Sequence, residues 1–298
     1  MSEGLDLLQE LPPLPTPTEG ELAKYDYKDW IGLFFEWHRT VGLLAICFLF
    51  LIRESPALRK ISKLRYIALT ALLSRISRLM MANLRLASED RHFEAISIVD
   101  RSLHETAIKL SWLCRSKDPD RFERYLSDGL RNDLEFRNHI LANVETRGHQ
   151  IAIETRMLES IDRSIRTSGI AKEEIPKIKK LPSLETMMRE VGFRDLAYVV
   201  VQRMGSHAVH GTWTGLLAST IDVEKSTLSL RSEFNSPHPN QLMFSSLMVL
   251  RAISAFCNFV MRKEHKIEIE AAIEQYRTKL LRHNSLMAAV DLSPSFPP

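Results

Sequence analysis

The chain of 298 residues carries 40 lysines and arginines against 37 aspartates and glutamates, a formal net charge of +3. So small an excess excludes a protein that binds polyanions over its whole surface, and any nucleic-acid binding has to be local. With 45% hydrophobic residues the chain can bury a sizeable core. The three cysteines, Cys47, Cys114 and Cys257, fit neither a disulfide framework nor a zinc site, so we expect a reducing, cytoplasmic location.

Both ends of the chain are expected to be tails. Residues 1–18 are rich in proline and lack the basic start of a secretory signal, so we predict a disordered N-terminal tail, and a second one at 291–298. Between them, 19–290 should form a single helical domain. The apolar run at 41–52 is shorter than the roughly 20 residues that a spanning helix needs. We predict a buried core helix there and no membrane partner, with membrane attachment as the alternative.

Capping residues and apolar periodicity predict the first helices. Asp26 or Asp29 can begin the first long helix, which should end at Glu54. The pairs Ser55-Pro56 and Asp118-Pro119 each combine a capping residue with proline at the first helical position. Because this combination is typical of helix starts, we expect a helix to begin at each pair.

The middle of the chain continues this pattern. Ser88 should cap a third helix, and the fourth segment should continue to Gly169 with a break near Gly148. Residues 170–182 hold two prolines and alternating charge, which is typical of a connector. We therefore take 170–182 as a candidate sub-boundary. A short helix, capped by Ser183, should follow it.

The last third of the chain contains one non-helical stretch. Residues 193–219 should form one helix, or two joined at Gly205. Residues 221–239 are too polar and too rich in turn formers for a helix, and two final helices should cover about 240–263 and 265–289. The prediction is an all-α fold, a multi-helix bundle with one small irregular or hairpin insertion near 221–239.

The segment that most resembles a functional site is the run YVVVQRMGSHAVHGTW, which begins at Tyr198. Arg203, His207 and His210 lie at i, i+4 and i+7, so on a helix they share one face. A histidine can transfer a proton near neutral pH, and an arginine offers a permanent charge for phosphate oxygens. In this interpretation His210 is the general acid or base, Arg203 stabilises the phosphoryl centre and His207 assists.

The spacing of Arg203 and His210 resembles the Arg-x(4–6)-His pattern of the HEPN nucleases (higher eukaryotes and prokaryotes nucleotide-binding), which are helical and often dimeric. The resemblance implies a metal-independent endoribonuclease or toxin-type effector of a bacterial defence system. RNA would be its substrate, without a cofactor, and a homo-oligomer and a protein partner encoded nearby are expected. The alternative is a non-enzymatic helical binding or sensor module whose polar residues hold the bundle together or bind a small anion.

A second resemblance covers residues 60–260. The third predicted helix reads DRSLHETAIKLSWLC, and DPDRFERYL and the run from Tyr198 follow it. This order resembles a bacterial all-helical family, domain of unknown function 5677. The resemblance implies a helical fold and a polar pocket of no known activity. Its matching positions are an early Arg-x(3)-Glu pair and a later Tyr, Ser, His-Gly segment, here Arg101, Glu105, Tyr198, Ser206, His210 and Gly211.

Arg101 and Glu105 are one helical turn apart, and two interpretations of them remain open. They form either an ordinary intrahelical ion pair or a half-buried pair that crosses the bundle to meet Tyr198 and His210. In the second case Glu105 would orient the imidazole of His210 and raise its pKa.

Two weaker candidates complete the sequence-based set. Arg75, Arg78 and Arg85 recur on one face of the second predicted helix. This face is either a solvated stripe, a nucleic-acid track or a docking surface for the acidic N-terminal segment. The spacing of His207 and His210 suits two metal ligands, but no nearby acid or cysteine supplies a third, so we expect no metal.

Overall fold

The computed structural model describes residues 10–51, 55–88, 92–193, 205–224, 227–231 and 237–291. The protein is 74% helical, and the described part has eleven α-helices and one two-stranded hairpin, which confirms the predicted all-α fold with its small insertion. The elements in chain order are α1 (Glu19–Leu22), α2 (Tyr27–Cys47), a 3-10 turn (Phe48–Phe50), α3 (Lys63–Ala87), α4 (Phe93–Arg115), α5 (Pro119–Arg147), α6 (Ala152–Ser168), α7 (Leu184–Glu190), α8 (Gly205–Val209), α9 (Trp213–Ser219), β1 (Ile221–Glu224), β2 (Thr227–Leu230), α10 (Pro239–Val260) and α11 (Lys263–Asp291).

Local capping sets several helix boundaries as predicted. The side chain of Asp26 accepts hydrogen bonds from two backbone N–H groups in the first turn of α2. Asp118 does the same for one N–H group of α5, with Pro119 at the first helical position. Gly148 ends α5 with φ of 80°, in the left-handed region that glycine tolerates best. The predicted break near Gly148 is therefore confirmed.

Two predicted helix starts are wrong. The pair Ser55-Pro56 does not begin α3, whose N-cap is Ser62. The chain instead runs against the end of α10, where the backbone N–H of Arg59 donates to the carbonyl of Val260 at 2.8 Å. This contact takes the backbone out of the helical conformation before Ser62. Ser88, predicted to cap the third helix, is the C-cap of α3.

The apolar run at 41–52 begins in α2, which ends at Cys47 rather than at the predicted Glu54. The 3-10 turn that follows keeps Phe48 buried together with Leu44. Within the structure α2, α3 and α10 pack against one another. Three helical stretches are nevertheless long and apolar enough to cross a membrane, judged by length and composition alone: Tyr27–Phe50, Lys63–Ala87 and Pro239–Val260. The absence of a membrane partner stays a prediction.

Contacts divide the chain into two compact units, one formed by residues 1–115 with 184–298 and the other by residues 116–183. In the first unit, α4 packs against α3 and α10, and α2 packs against the same two helices. In the second unit, α5 packs on α6. Its core consists of six buried aliphatic residues: Leu130, Leu134, Ile140, Ile161, Ile165 and Ile175. The single domain over 19–290, with 170–182 as sub-boundary, stays a prediction.

Part of the predicted N-terminal tail lies against the first unit. The carbonyl of Pro12 accepts a hydrogen bond from the hydroxyl of Tyr276 on α11. Glu19, at the start of α1, forms an ion pair with Arg282, which also lies on α11. Residues 1–9 and 292–298 lie outside the described residues, so the two disordered tails stay predictions there.

Candidate functional site

The predicted site lies at the corner between α8 and α9. The helix α8 packs on α4, and Gly211 turns the chain toward α9 with φ of 54°. The left-handed conformation of this glycine makes the corner, so the two described helices meet at Gly211. The predicted join at Gly205 involves residues 194–204, which lie outside the described residues. Tyr198 and Arg203 lie outside the described residues.

Arg101 joins α4 to α8. Its Nε donates to a carboxylate oxygen of Glu105 at 3.1 Å, and its Nη1 donates to the hydroxyl of Ser206 at 2.7 Å. The side chains of Arg101 and Glu105 are 19% and 31% exposed, so the ion pair is half-buried. It reaches the neighbouring helix at Ser206 and, among the described residues, forms no hydrogen bond or ion pair with His210.

The ring of His207 is held by the residues that begin α9. Its Nδ1 lies 2.8 Å from the hydroxyl oxygen of Thr212, which also accepts the backbone N–H of Gly215 at 3.3 Å. A Cβ atom on Gly215 would lie 2.5 Å from the carbonyl oxygen of His207, so α9 can approach α8 this closely only with glycine here. Because Thr212 engages Nδ1, a ligand would have to contact Nε2.

His210 lies at the exposed end of this arrangement. Its backbone N–H donates to the carbonyl of Ser206 at 3.0 Å, so it follows Ser206 by one helical turn. Arg101 therefore contacts α8 one helical turn before the exposed His210. Such a set can bind an anion through the arginine and exchange a proton through the histidine.

A second polar cluster lies deeper in the first unit, and the sequence interpretation missed it. Asp100 on α4 accepts three hydrogen bonds, from the side-chain amides of Asn83 at 2.6 Å and Gln241 at 2.5 Å and from the hydroxyl of Ser245 at 3.0 Å. The Ser245 oxygen can in turn accept Nε2–H of His104 at 2.8 Å. We call these five residues the Asp100 cluster.

Burial determines the protonation of the Asp100 cluster. It raises the pKa of Asp100 to about 6, although the three donors to the carboxylate act in the other direction. Burial also lowers the pKa of His104 to about 3, and the nearby ring of His38 adds to this effect. Since Asp100, His104 and Ser245 are all buried, this cluster fixes α3, α4 and α10 to one another rather than facing a substrate.

His38 on α2 lies beside this cluster. The hydroxyl of Ser246 donates to the carbonyl of Leu242 at 2.8 Å, so its oxygen can accept Nδ1–H of His38 at 3.2 Å. Nε2 of His38 is then an unprotonated, buried nitrogen with no hydrogen-bond partner in the described part of the chain. Burial lowers the pKa of His38 to about 4, so the ring is neutral at neutral pH.

The predicted arginine face is exposed. Arg75, Arg78 and Arg85 all lie on the solvent side of α3. Nε of Arg75 donates to the hydroxyl oxygen of Thr106 at 3.2 Å, which ties this face to α4. The described part of the acidic N-terminal segment contacts α11 instead, through the hydrogen bond from Tyr276 to the carbonyl of Pro12.

A family model described as a family of unknown function (DUF5677) matches residues 66–226, more than half of the chain. The chain belongs to this family. The match contains α4, α8 and α9 with the whole described site, whereas α10, which completes the Asp100 cluster, lies outside it. No curated protein and no solved structure matches the chain. Family membership therefore establishes no activity, and the likeness to HEPN nucleases rests on the spacing of Arg203 and His210 alone.

The described residues contain no group of three or more histidine, cysteine, aspartate or glutamate side chains that could hold a metal ion. His207 and His210 are the relevant pair, and the contact that His207 makes is with the hydroxyl of Thr212. What the described site offers to a ligand is the guanidinium of Arg101 and the two imidazoles.

Proposed function

We propose that this protein is a metal-independent endoribonuclease of the HEPN type that acts as a toxin-like effector in bacterial defence. One observation carries the proposal: Arg101, held by Glu105, reaches Ser206 at 2.7 Å, one helical turn before the exposed His210. A cation that stabilises charge and a histidine that transfers protons are the minimal groups for phosphodiester cleavage without a metal.

The reaction would be an internal transfer within RNA. One of the two histidines, His210 in the first place, removes the proton from a 2′-hydroxyl, and the 2′-oxygen attacks phosphorus. The bond from phosphorus to the 5′-oxygen breaks, and the leaving oxygen takes a proton from an imidazolium, the role assigned to His207. Arg203 stabilises the charge on the phosphoryl oxygens, with Arg101 and Glu105 as its support. The products are a 2′,3′-cyclic phosphate and a 5′-hydroxyl.

The exposed arginines of α3 belong to the same proposal. Arg75, Arg78 and Arg85 would bind phosphates along the RNA, because they form a basic face without a carboxylate partner among the described residues. The hydrogen bond from Arg75 to Thr106 links that face to α4, the helix that carries Arg101. A cytoplasmic location and a regulatory protein partner encoded nearby complete the proposal.

The test is cleavage of RNA by the purified full chain. His210→Ala and Arg203→Ala should each lower the rate by about 10²–10⁴-fold while leaving helicity and melting temperature unchanged. Cleavage should persist in chelator and give a cyclic phosphate end. The matched control is His139→Ala, since His139 is an exposed histidine of the second unit. RNA that stays intact with the wild-type chain, or cleavage that survives both substitutions, would overturn the proposal.

A second candidate is a non-enzymatic module that binds a small anion. The side-chain contacts in the site favour this candidate. Arg101 is hydrogen-bonded to both Glu105 and Ser206, and His207 is hydrogen-bonded to Thr212. Such fixed side chains suit a site that holds an oxyanion in place. Calorimetric titration with inorganic phosphate distinguishes the two candidates: binding that is lost in Arg101→Ala, without any RNA turnover, supports the module.

A further inference from the structure

The hairpin of β1 and β2 carries all its apolar side chains on one face. Its antiparallel register places Ile221 opposite Leu230 and Val223 opposite Leu228. Because successive side chains of a strand point to opposite faces, these four residues lie on the same face. We call them the apolar hairpin face.

This apolar face is exposed to solvent. Val223 is 60% exposed, Leu228 59% and Leu230 80%. On the other face, Arg231 at the end of the hairpin binds the carboxylate of Asp222 at 2.8 Å and donates to the carbonyl of Ala218 in α9. The hairpin thus exposes its apolar face, which in a half-buried sheet would normally pack against the protein core.

Such a hairpin is not expected to stand alone. Two strands by themselves are marginally stable in water, and a hydrophobic sheet face normally needs further strands or a helix against it. Exposed large apolar residues are also concentrated here: five of the fifteen among the described residues lie between Val209 and Leu230. Clusters of this kind on soluble proteins mark interaction sites.

We propose that the apolar hairpin face packs against the same face of a second copy of the chain, about a two-fold axis. The face contains no charged residue, so two copies meet without burying a charge. A two-fold contact places the same patch on both partners, so an uncharged aliphatic face can meet its own copy. A membrane surface suits it less, since the apolar hairpin face has no lysine or arginine to meet lipid headgroups.

The area is sufficient for a reversible dimer. Three large aliphatic residues that are more than half exposed offer on the order of 100 Å² each, or roughly 600 Å² for two copies. Interfaces are about 60% apolar, so a normal polar rim brings the total to about 1,000 Å². This is about the smallest area at which a specific interface is found, so the dimer should dissociate at micromolar concentrations.

Sedimentation velocity on the full chain tests the dimer. The wild-type chain should show a concentration-dependent dimer, and Leu228→Lys and Leu230→Lys should each leave it monomeric. Ser229→Lys is the matched control, because Ser229 is exposed but lies on the opposite face of the same strand. It should dimerise like the wild type. All variants should have the helical signal of the wild type, since the replaced residues are exposed.

Cross-linking gives a second measurement that needs no disruptive variant. Under mild oxidation Leu230→Cys should form a disulfide between two copies, whereas Ser229→Cys and the wild-type chain should not. A wild-type chain that stays monomeric at high micromolar concentration overturns the proposal, as does a dimer that persists in both lysine variants. A monomer that sediments with lipid vesicles, and loses this in Leu230→Lys, also overturns it by showing that lipid covers the face. These outcomes do not depend on whether the chain cleaves RNA.

Discussion

Acid should destabilise the first unit through its buried histidines. Burial lowers the pKa of His38 and His104 from 6.5 to about 4 and about 3. A histidine whose pKa is depressed in the folded state contributes stability that is present above the unfolded pKa and is lost as the pH falls toward the folded one. At about 1.4 kcal/mol per pKa unit, each histidine should cost about 3 kcal/mol between about pH 7 and about pH 4.

Asp100 acts in the opposite direction. Its pKa is raised from 3.8 to about 6, so its contribution is fully present below 3.8 and is lost as the pH rises through about 6. Acidification from about pH 7 to about pH 4 therefore regains about 2 kcal/mol. The net loss from the three residues is about 4 kcal/mol, a large part of the 5–15 kcal/mol that a folded domain typically has.

Urea unfolding followed by tryptophan fluorescence measures this loss. All four tryptophans belong to the unit that contains the Asp100 cluster, so their signal reports on that unit alone: Trp30, Trp37, Trp112 and Trp213. His104→Gln keeps an N–H donor near Ser245 but cannot be protonated. In this variant the loss of unfolding free energy between about pH 7 and about pH 4 should be about 3 kcal/mol smaller than in the wild-type chain. His139→Gln, at an exposed position of the other unit, should keep the wild-type difference.

Two results would refute the reasoning. Equal free energies of unfolding at both pH values would mean that the two histidines are hydrated in the folded protein. An unchanged pH dependence in His104→Gln would mean that His104 does not lose its charge on folding. Either result would contradict the burial of His38 and His104 from which the prediction starts.

Three further predictions test other parts of the structure. Leu44→Asp should leave the first unit unfolded or aggregated in gel filtration, because a buried carboxylate without a partner costs several kcal/mol. Gly215→Ala should lower RNA cleavage or phosphate binding at least tenfold by displacing the backbone of His207, whereas Gly32→Ala, which meets no atom within 4 Å, should not. Ile175→Ala should destabilise the second unit by about 2–5 kcal/mol, seen as a lower melting temperature in circular dichroism with unchanged tryptophan fluorescence.

Most helix boundaries could be predicted because capping depends on a few consecutive residues. Asp26 and Asp118 show this, since each accepts backbone N–H groups two or three positions ahead. The start of α3 could not be predicted in the same way. Although Ser55-Pro56 has the form of a helix start, Leu58 pairs with Met261 in an isolated bridge, and a contact across 203 positions of sequence leaves no local signal.

The site shows the same division between local and distant information. The pair of Arg101 and Glu105 follows from their spacing, but the hydrogen bond from Arg101 to Ser206 spans 105 positions. Only the family resemblance indicates that these residues share a pocket. The spacing of Asp100 and His104 is equally visible in the sequence. This spacing alone does not predict the Asp100 cluster, because helical periodicity places two residues on one face without revealing what that face packs against.

The Asp100 cluster and the pair of Arg101 and Glu105 lie on neighbouring faces of α4, so the orientation of this helix about its axis affects both. Arg101 and Glu105 each follow a member of the Asp100 cluster by one residue, and successive residues of a helix differ by about 100° around its axis. Hydrogen bonds from Asp100 and His104 to Ser245 on α10 fix the orientation of α4. That orientation directs Arg101 and Glu105 toward α8. Because a binding or catalytic group has to be held to within about 0.5 Å, a rigid buried anchor behind Arg101 is what a functional site on this helix requires.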